Sequence, residues 1–150
     1  MRLVIQRVTE ASVSVDGRVV ASIERGLLIL VGVETADSPD DIPWLTGKVS
    51  RMRIFPDEAG LMNASVGEVG GEVLVISQFT LFASTKKGNR PSFIRAAAPD
   101  LAAGLYDRFC DELSIQLDQP VKRGIFGADM KVSLVNDGPV TIVIDSRNRE

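Results

Sequence analysis

Ser77, Gln78 and Thr80 place two hydroxyls and an amide within four residues, with Phe79 among them. They follow directly on Glu72-Val73-Leu74-Val75-Ile76, an apolar run that reads as a strand. Many hydrolases activate such a hydroxyl with a histidine, and this chain of 150 residues contains none. Ser-His-Asp and Cys-His systems are therefore excluded, together with the usual histidine-bearing zinc sites. Chemistry at this stretch must use carboxylates, hydroxyls, backbone dipoles or groups that the substrate brings. A second stretch, Asn136-Asp137-Gly138-Pro139, combines the residue types that bend a chain sharply. Glycine accepts φ > 0, proline fixes φ near −65°, and Asn and Asp bond the nearby backbone. Strand-like runs at 131–135 and 139–145 flank it, so its plainest reading is a hairpin turn.

Two further stretches have a functional and a plain reading each. Residues 84–95 are the most basic segment, with Lys86, Lys87, Arg90 and Arg95 and no acid among them. They form either a solvated loop or a clamp for phosphates. Gly124-Ile125-Phe126-Gly127-Ala128-Asp129-Met130 is a glycine-spaced loop with large apolar side chains. It is either a bulged connection or a cleft that holds a purine between Phe126 and Met130.

The elements that must carry these residues are largely readable. Residues 2–8 and 11–15 alternate as strands, and Asp16-Gly17 is a hairpin signal leading to Arg18–Ile23. Leu27–Val33 is continuously apolar, which predicts a strand buried on both faces. Ser38-Pro39-Asp40-Asp41 predicts a helix start, followed by a core stripe of Ile42, Leu45, Val49 and Met52. Pro99-Asp100 opens a second helix, with Leu101, Leu105, Phe109 and Leu113 expected on one face and Tyr106 and Cys110 flanking it. Residues 147–150 read as a frayed tail. The whole is one α/β domain over 1–150, richer in strand than in helix.

Composition narrows the function further. Hydrophobic content of 45% and charged content of 25% suit a soluble globular protein. No apolar run approaches the roughly 18 residues that span a bilayer, and no signal peptide is recognisable, so a cytoplasmic protein with no membrane partner is expected. The single cysteine, Cys110, excludes an intrachain disulfide and a cysteine-based zinc cluster. A net charge of −3 argues against broad contact with a nucleic-acid duplex and leaves open contact with one end of an RNA.

Seven stretches in order, Met1–Val8, Phe55-Pro56-Asp57, Gly71–Val75, S-Q-F-T-L at 77–81, Lys87–Phe93, Phe126–Met130 and N-D-G-P-V-T at 136–141, resemble the D-aminoacyl-tRNA deacylases. The resemblance covers essentially the whole chain. It implies a three-layer β/β/α fold and a homodimer with active sites at the interface. It also implies hydrolysis of the ester joining a D-amino acid to the 3′-terminal adenosine of tRNA, with no metal or cofactor. By position, Gly138-Pro139 becomes the family's Gly–cis-Pro element, which reaches into the partner's site and rejects L side chains by clash. Proline suits this, because a cis bond costs only about 0.5–1 kcal/mol before Pro. Arg7 matches the arginine supporting that element, and Asn136 lies within the same motif. Glycine has no side chain to clash, so glycyl-tRNA is expected to be admitted.

In the same reading, Ser77, Gln78, Phe79 and Thr80 form the catalytic edge. Backbone N–H groups near Phe79 and Thr80 face the oxyanion, a contact worth roughly 2.7–4 kcal/mol per donor in other hydrolases. No histidine or evident lysine activates Thr80, so positioning is preferred for it over a nucleophilic role. Phe126, Gly127, Ala128 and Met130 hold the adenine, and Lys86, Lys87 and Arg90 lie near the acceptor-end phosphates. The competing classes are a non-catalytic module that binds acylated adenosine, a serine esterase and a structural dimeric β protein. The missing histidine and the lack of a G-x-S-x-G motif weigh against the esterase.

Overall fold

Asp16 and Gly17 take φ of 49° and 76°, which fits the two-residue turn the sequence predicts. That turn folds β1 (Arg2–Val15) back on β2 (Arg18–Ile23), pairing Val15 with Arg18. The computed structural model describes residues 1–150. β3 (Gly26–Gly32) follows and lies antiparallel to the first half of β1. A 3-10 turn at Pro39–Asp41 then leads into α1 (Ile42–Arg51). Ser38 caps it as expected, accepting from the Asp40 N–H, while the Asp41 carboxylate accepts from the Ser38 N–H. A small hairpin of β4 (Phe55–Pro56) and β5 (Met62–Ala64) precedes β6 (Glu72–Ser77), which runs parallel to β3. Beyond it come a 3-10 turn at Phe79–Phe82, α2 (Pro99–Leu117), the short β7 (Lys122–Arg123) and β8 (Lys131–Asp145).

The strand order is β2-β1-β3-β6-β7, with β8 on the other edge of β1. The sheet curls until it nearly closes, and alternation along β3 and β6 divides the interior in two. Leu27, Ile29, Val31, Val73 and Val75 face the helices, meeting Leu45, Val49, Leu105, Phe109 and Leu113. Leu28, Leu74 and Ile76 face the opposite way and meet Val8, Ala11, Val13 and Ile23. Helices, central strands and curled outer strands thus form the three layers of a strand-rich β/β/α fold. Each fully buried aliphatic side chain contributes about 1.5–3 kcal/mol, which makes β3 and β6 the best-anchored strands. No helix is long and apolar enough to cross a membrane.

Three expectations from the sequence are corrected. The run through Asn136-Asp137-Gly138-Pro139 is not a hairpin turn, because one strand, β8, passes through it and both halves pair with β1. Between the pairs Gln6–Thr141 and Val8–Asn136, β1 advances two residues and β8 five, so the excess leaves the ladder as a bulge. Leu101 lies 40% exposed, and Ala102 takes its place in the core. Residues four apart on a helix advance 400° rather than 360°, so a stripe of three such steps drifts by about a third of a turn. The tail at 147–150 is partly anchored: Arg147 pairs with the buried Asp37, and the Arg149 guanidinium lies 4.5 Å from the Trp44 ring centre.

Candidate active site

The carboxyl ends of β3 and β6 lie side by side, with Val31 opposite Ser77. The chain turns sharply there. The Gln78 N–H donates to the Val31 carbonyl at 2.7 Å, and the 3-10 turn starts at Phe79. Gly32 permits that turn, since a Cβ there would stand 2.9 Å from the Leu81 Cβ and 3.2 Å from the Gln78 oxygen. Arg2 ties down its far end by donating to the Leu81 carbonyl at 2.7 Å, with its guanidinium 4.7 Å from the Phe82 ring centre. The other end of the same arginine is held by Asp145 at 3.0 Å.

A cleft of about 520 Å³ opens beside this turn, large enough for a nucleoside with an attached acyl group. Ser77, Gln78 and Phe79 form one edge, and Phe126, Gly127, Ala128 and Met130 form another. Val31, Val33, Ala96, Ala97, Pro99, Ala102 and Tyr106 close the rest. The cleft exists because so many of these side chains are small. The Ala97 N–H donates to the Val33 carbonyl at 3.0 Å, which brings the alanines alongside β3. Tyr106 holds the opposite wall: its hydroxyl donates to the Val75 carbonyl at 2.8 Å, and the Gly124 N–H reaches the same oxygen at 3.0 Å. The Phe126 ring centre sits 6.1 Å from that of Tyr106.

The cleft holds little that titrates near neutrality. Burial pushes the Tyr106 hydroxyl well above its usual value, and the neighbouring Cys110 adds to the effect. Burial likewise pushes the Cys110 thiol up to about 12, so it stays neutral and packs as the sequence suggests. Asp129 is the one carboxylate in the lining, and Lys131 engages it at 2.8 Å. Thr80 is outside the lining but adjoins it, because the Gln78 side-chain amide donates to the Thr80 Oγ1. That contact occupies a lone pair on the hydroxyl and offers no base to take its proton. The leading N–H groups of a 3-10 turn, here those of Phe79 and Thr80, have no acceptor within the turn, and no side chain caps them.

Arg7, Asn136, Gly138 and Pro139 assemble elsewhere, and none of them lines the cleft. The Gly138–Pro139 peptide is cis, and both residues are exposed at the crest of the β8 bulge. Gly138 takes φ of 135°, where an added Cβ would stand 2.8 Å from the Val140 Cγ2. Asn136 clasps the base of the bulge. Its Oδ1 accepts from the Val140 N–H at 2.8 Å, and its Nδ2 donates to the Thr141 hydroxyl at 3.1 Å. Arg7 supports the bulge from behind, donating through Nε to the Asp137 carbonyl at 3.0 Å and pairing with its carboxylate at 3.1 Å. Its Nη1 donates to the Ile54 carbonyl at 2.6 Å. Lys86, Lys87 and Arg90 lie apart from both groups, on an exposed loop.

The residues the sequence left unassigned are the small and apolar wall and Tyr106. Two signals were available: the run Ala96-Ala97-Ala98-Pro99 just before a helix, and a lone tyrosine on a core stripe whose hydroxyl needs an acceptor.

The family described as D-Tyr-tRNA(Tyr) deacylase matches residues 4–145. Proteins named D-aminoacyl-tRNA deacylase from Flavobacterium johnsoniae and Parabacteroides distasonis are 59% and 58% identical over 150 residues, covering 100% of each chain. A solved structure titled "c-Myc DNA Unwinding Element Binding Protein" superposes with a TM-score of 0.90 at 38% identity, covering 97% of this chain and 98% of that one. Another, titled as a probable eukaryotic D-amino acid tRNA deacylase, gives 0.81 at 19% identity over 95% and 97%, which speaks to the fold alone.

Proposed function

The chain belongs to the D-aminoacyl-tRNA deacylase family, and from that premise we propose that it cleaves its ester with a cleft from one protomer and a bulge from its partner. The reaction is hydrolysis of a D-amino acid from the terminal adenosine of tRNA, carried out in the cytoplasm where tRNA is charged. The observation that carries the site assignment is the make-up of the cleft: room for an acylated adenosine, an edge of hydroxyl, amide and N–H groups, no histidine or lysine, and a single carboxylate that Lys131 engages. The adenine lies against Phe126, Gly127, Ala128 and Met130. The ester carbonyl then meets the N–H groups of Phe79 and Thr80.

Aminoacyl esters are already activated, so water suffices as nucleophile. Its oxygen adds to the ester carbonyl carbon, and the oxyanion is stabilised by the two N–H donors. The bond from that carbon to the ribose O3′ breaks. The proton lost by the water reaches O3′ through the neighbouring 2′-hydroxyl, releasing the free amino acid and tRNA. Ser77, Gln78 and Thr80 orient these groups rather than form a covalent intermediate.

Chiral selection comes from the second copy. The Gly138-Pro139 crest is exposed, stiffly held by Arg7 and Asn136, and absent from its own protomer's cleft. A twofold dimer that seats each crest in its partner's cleft gives the filter something rigid to clash with. An L side chain meets backbone there, a D side chain points away, and glycine passes.

The test is deacylation of D-Tyr-tRNA, L-Tyr-tRNA and Gly-tRNA by the purified protein with EDTA present. Loss of the D and glycyl esters with the L ester intact is expected. Survival of all three, with binding retained, would leave only a binding module. Single-turnover rates for Thr80→Ala separate the two chemical roles: near-normal rates fit positioning, and complete loss with binding intact makes Thr80 the nucleophile.

A further inference from the structure

The cleft has an outward continuation that the reaction itself does not use. Phe79 lines the cleft, yet its ring is 57% exposed, and Phe93 packs edge-on against it with ring centres 5.1 Å apart at 70°. Phe93 is itself 38% exposed. An aromatic pair left open beside a polar site calls for a flat, apolar-faced occupant. The chain just before Phe93 supplies the charge. Ser84 and Ser92 exchange two backbone hydrogen bonds, each 2.8 Å, which pinch residues 85–91 into a closed loop. Lys86, Lys87 and Arg90 lie in it, all exposed, and no carboxylate pairs with any of the three. Arg95, just beyond, is by contrast bound to Glu34 at 2.9 Å. Unpaired cations around an exposed aromatic pair match a single-stranded nucleic acid, which offers phosphates and base faces together.

We propose that Phe93, backed by Phe79, is a stacking platform for the nucleotide that precedes the terminal adenosine, with Lys86, Lys87 and Arg90 taking the phosphates of the same unpaired strand. The proposal rests on the reading of the cleft as the adenosine site. Phe79 borders the cleft, Phe93 packs on Phe79, and the basic loop closes at Ser92, one residue before Phe93, so the three follow one another outward from the adenosine site. Stacking is indifferent to base identity, so the platform adds affinity for the single-stranded end without choosing among tRNAs.

The experiment compares three D-tyrosyl esters, of adenosine, of the trinucleotide cytidylyl-cytidylyl-adenosine, and of tRNA, using the wild type, Phe93→Ala and Phe93→Tyr. The wild type is expected to show a higher kcat/KM for the trinucleotide ester than for the adenosine ester. Phe93→Ala should collapse that ratio about 10-fold, through KM, and Phe93→Tyr should retain it. Replacing Lys86, Lys87 and Arg90 together by Ala should flatten the salt dependence of kcat/KM on the tRNA ester. Equal effects of Phe93→Ala on all three esters would reduce Phe93 to a prop for Phe79 and overturn the platform. Dissociation of a dimer by Phe93→Ala, seen in sedimentation, would assign the patch to a protein interface and overturn it likewise. If the wild type hydrolyses none of the three esters, the reading of the cleft falls first, and the platform with it. Equal kcat/KM for the adenosine and trinucleotide esters overturns the platform alone.

Discussion

The end of β6 and the middle of β8 both break a regular strand, and they do so to opposite purpose. At Ser77–Phe82 the chain folds inward over a cleft, backed by two buried strands and fastened by Gln78, Arg2 and the space at Gly32. At Asn136–Val140 it folds outward, lifting Gly138 and Pro139 into solvent while Arg7 and Asn136 hold the base. One region makes a receptacle and the other a rigid projection, and within a protomer the projection does not enter the receptacle. The contrast teaches that rigidity can be produced without burial of the functional atoms, provided that the groups beneath them are fully bonded.

The largest expected effect comes from removing that support. Arg7→Ala strips the hydrogen bonds from the Asp137 and Ile54 carbonyls and leaves the Asp137 carboxylate without its cation. Asp137 keeps contact with water, so the loss is mainly that of the two orphaned carbonyls, about 2–4 kcal/mol in chemical denaturation, with measurable hydrolysis of L-Tyr-tRNA. Unchanged L rejection would mean that the bulge is rigid without Arg7. Gly138→Ala acts on the same projection from above, where φ of 135° and the nearby Val140 both resist a side chain. A loss of about 1–3 kcal/mol and a fall in the rate for D esters are expected, read by thermal melting and initial rates. Phe126→Ala attacks the receptacle instead. It should raise KM for D-Tyr-tRNA by an amount equivalent to about 1–3 kcal/mol, with the D/L ratio intact, so that binding and chirality separate by region.

The smallest effect sharpens the comparison by lying in neither region. Lys122 at 2.7 Å, then the Glu24 N–H at 2.8 Å, hold the Glu72 carboxyl below the usual glutamate range. A carboxyl with a depressed folded pKa stabilises above its unfolded value and loses that contribution as pH falls through the folded one. Glu72→Gln should therefore melt slightly lower at neutral pH, and its melting temperature should fall less than the wild type's on acidification. The Glu72 carboxyl is partly solvated, so the difference is a few tenths of a kcal/mol in scale.

What was legible in the sequence follows from how local the deciding forces are. The Asp16-Gly17 turn, the Ser38 cap and the doubly buried β3 are set by residues adjacent to one another, and all appear as read. The plain hairpin reading of 136–139 fails because turn chemistry looks the same whether the chain reverses or merely leaves the ladder, while the resemblance already points to a cis Gly138-Pro139 there. Only pairing with β1 across 130 residues decides between them. Which core each end of β1 joins was likewise invisible, since it depends on a shift of face within that strand. Leu3 and Ile5 point to the helices, whereas Ala11 and Val13 point to the outer core after the irregular pairing near Val8. At the site, the motif residues could be named in advance, but the wall of the cleft could not. Val31 in β3, Ala97 in the connection before α2 and Tyr106 in α2 reach it from separate stretches that have no sequence signature in common.

The placement of β6 between two cores has a consequence for motion. Val73 and Val75 belong to one core, Leu74 and Ile76 to the other, and the 3-10 turn beside the cleft starts three residues later, at Phe79. Exposing those amides requires both cores to open at once, so their hydrogen exchange should proceed only through global unfolding, while the amides of residues 85–91 exchange from the folded state. On the proposed reading, the slowest part of the backbone stands directly behind the turn that faces the ester, and the loop assigned to the RNA strand is the fastest.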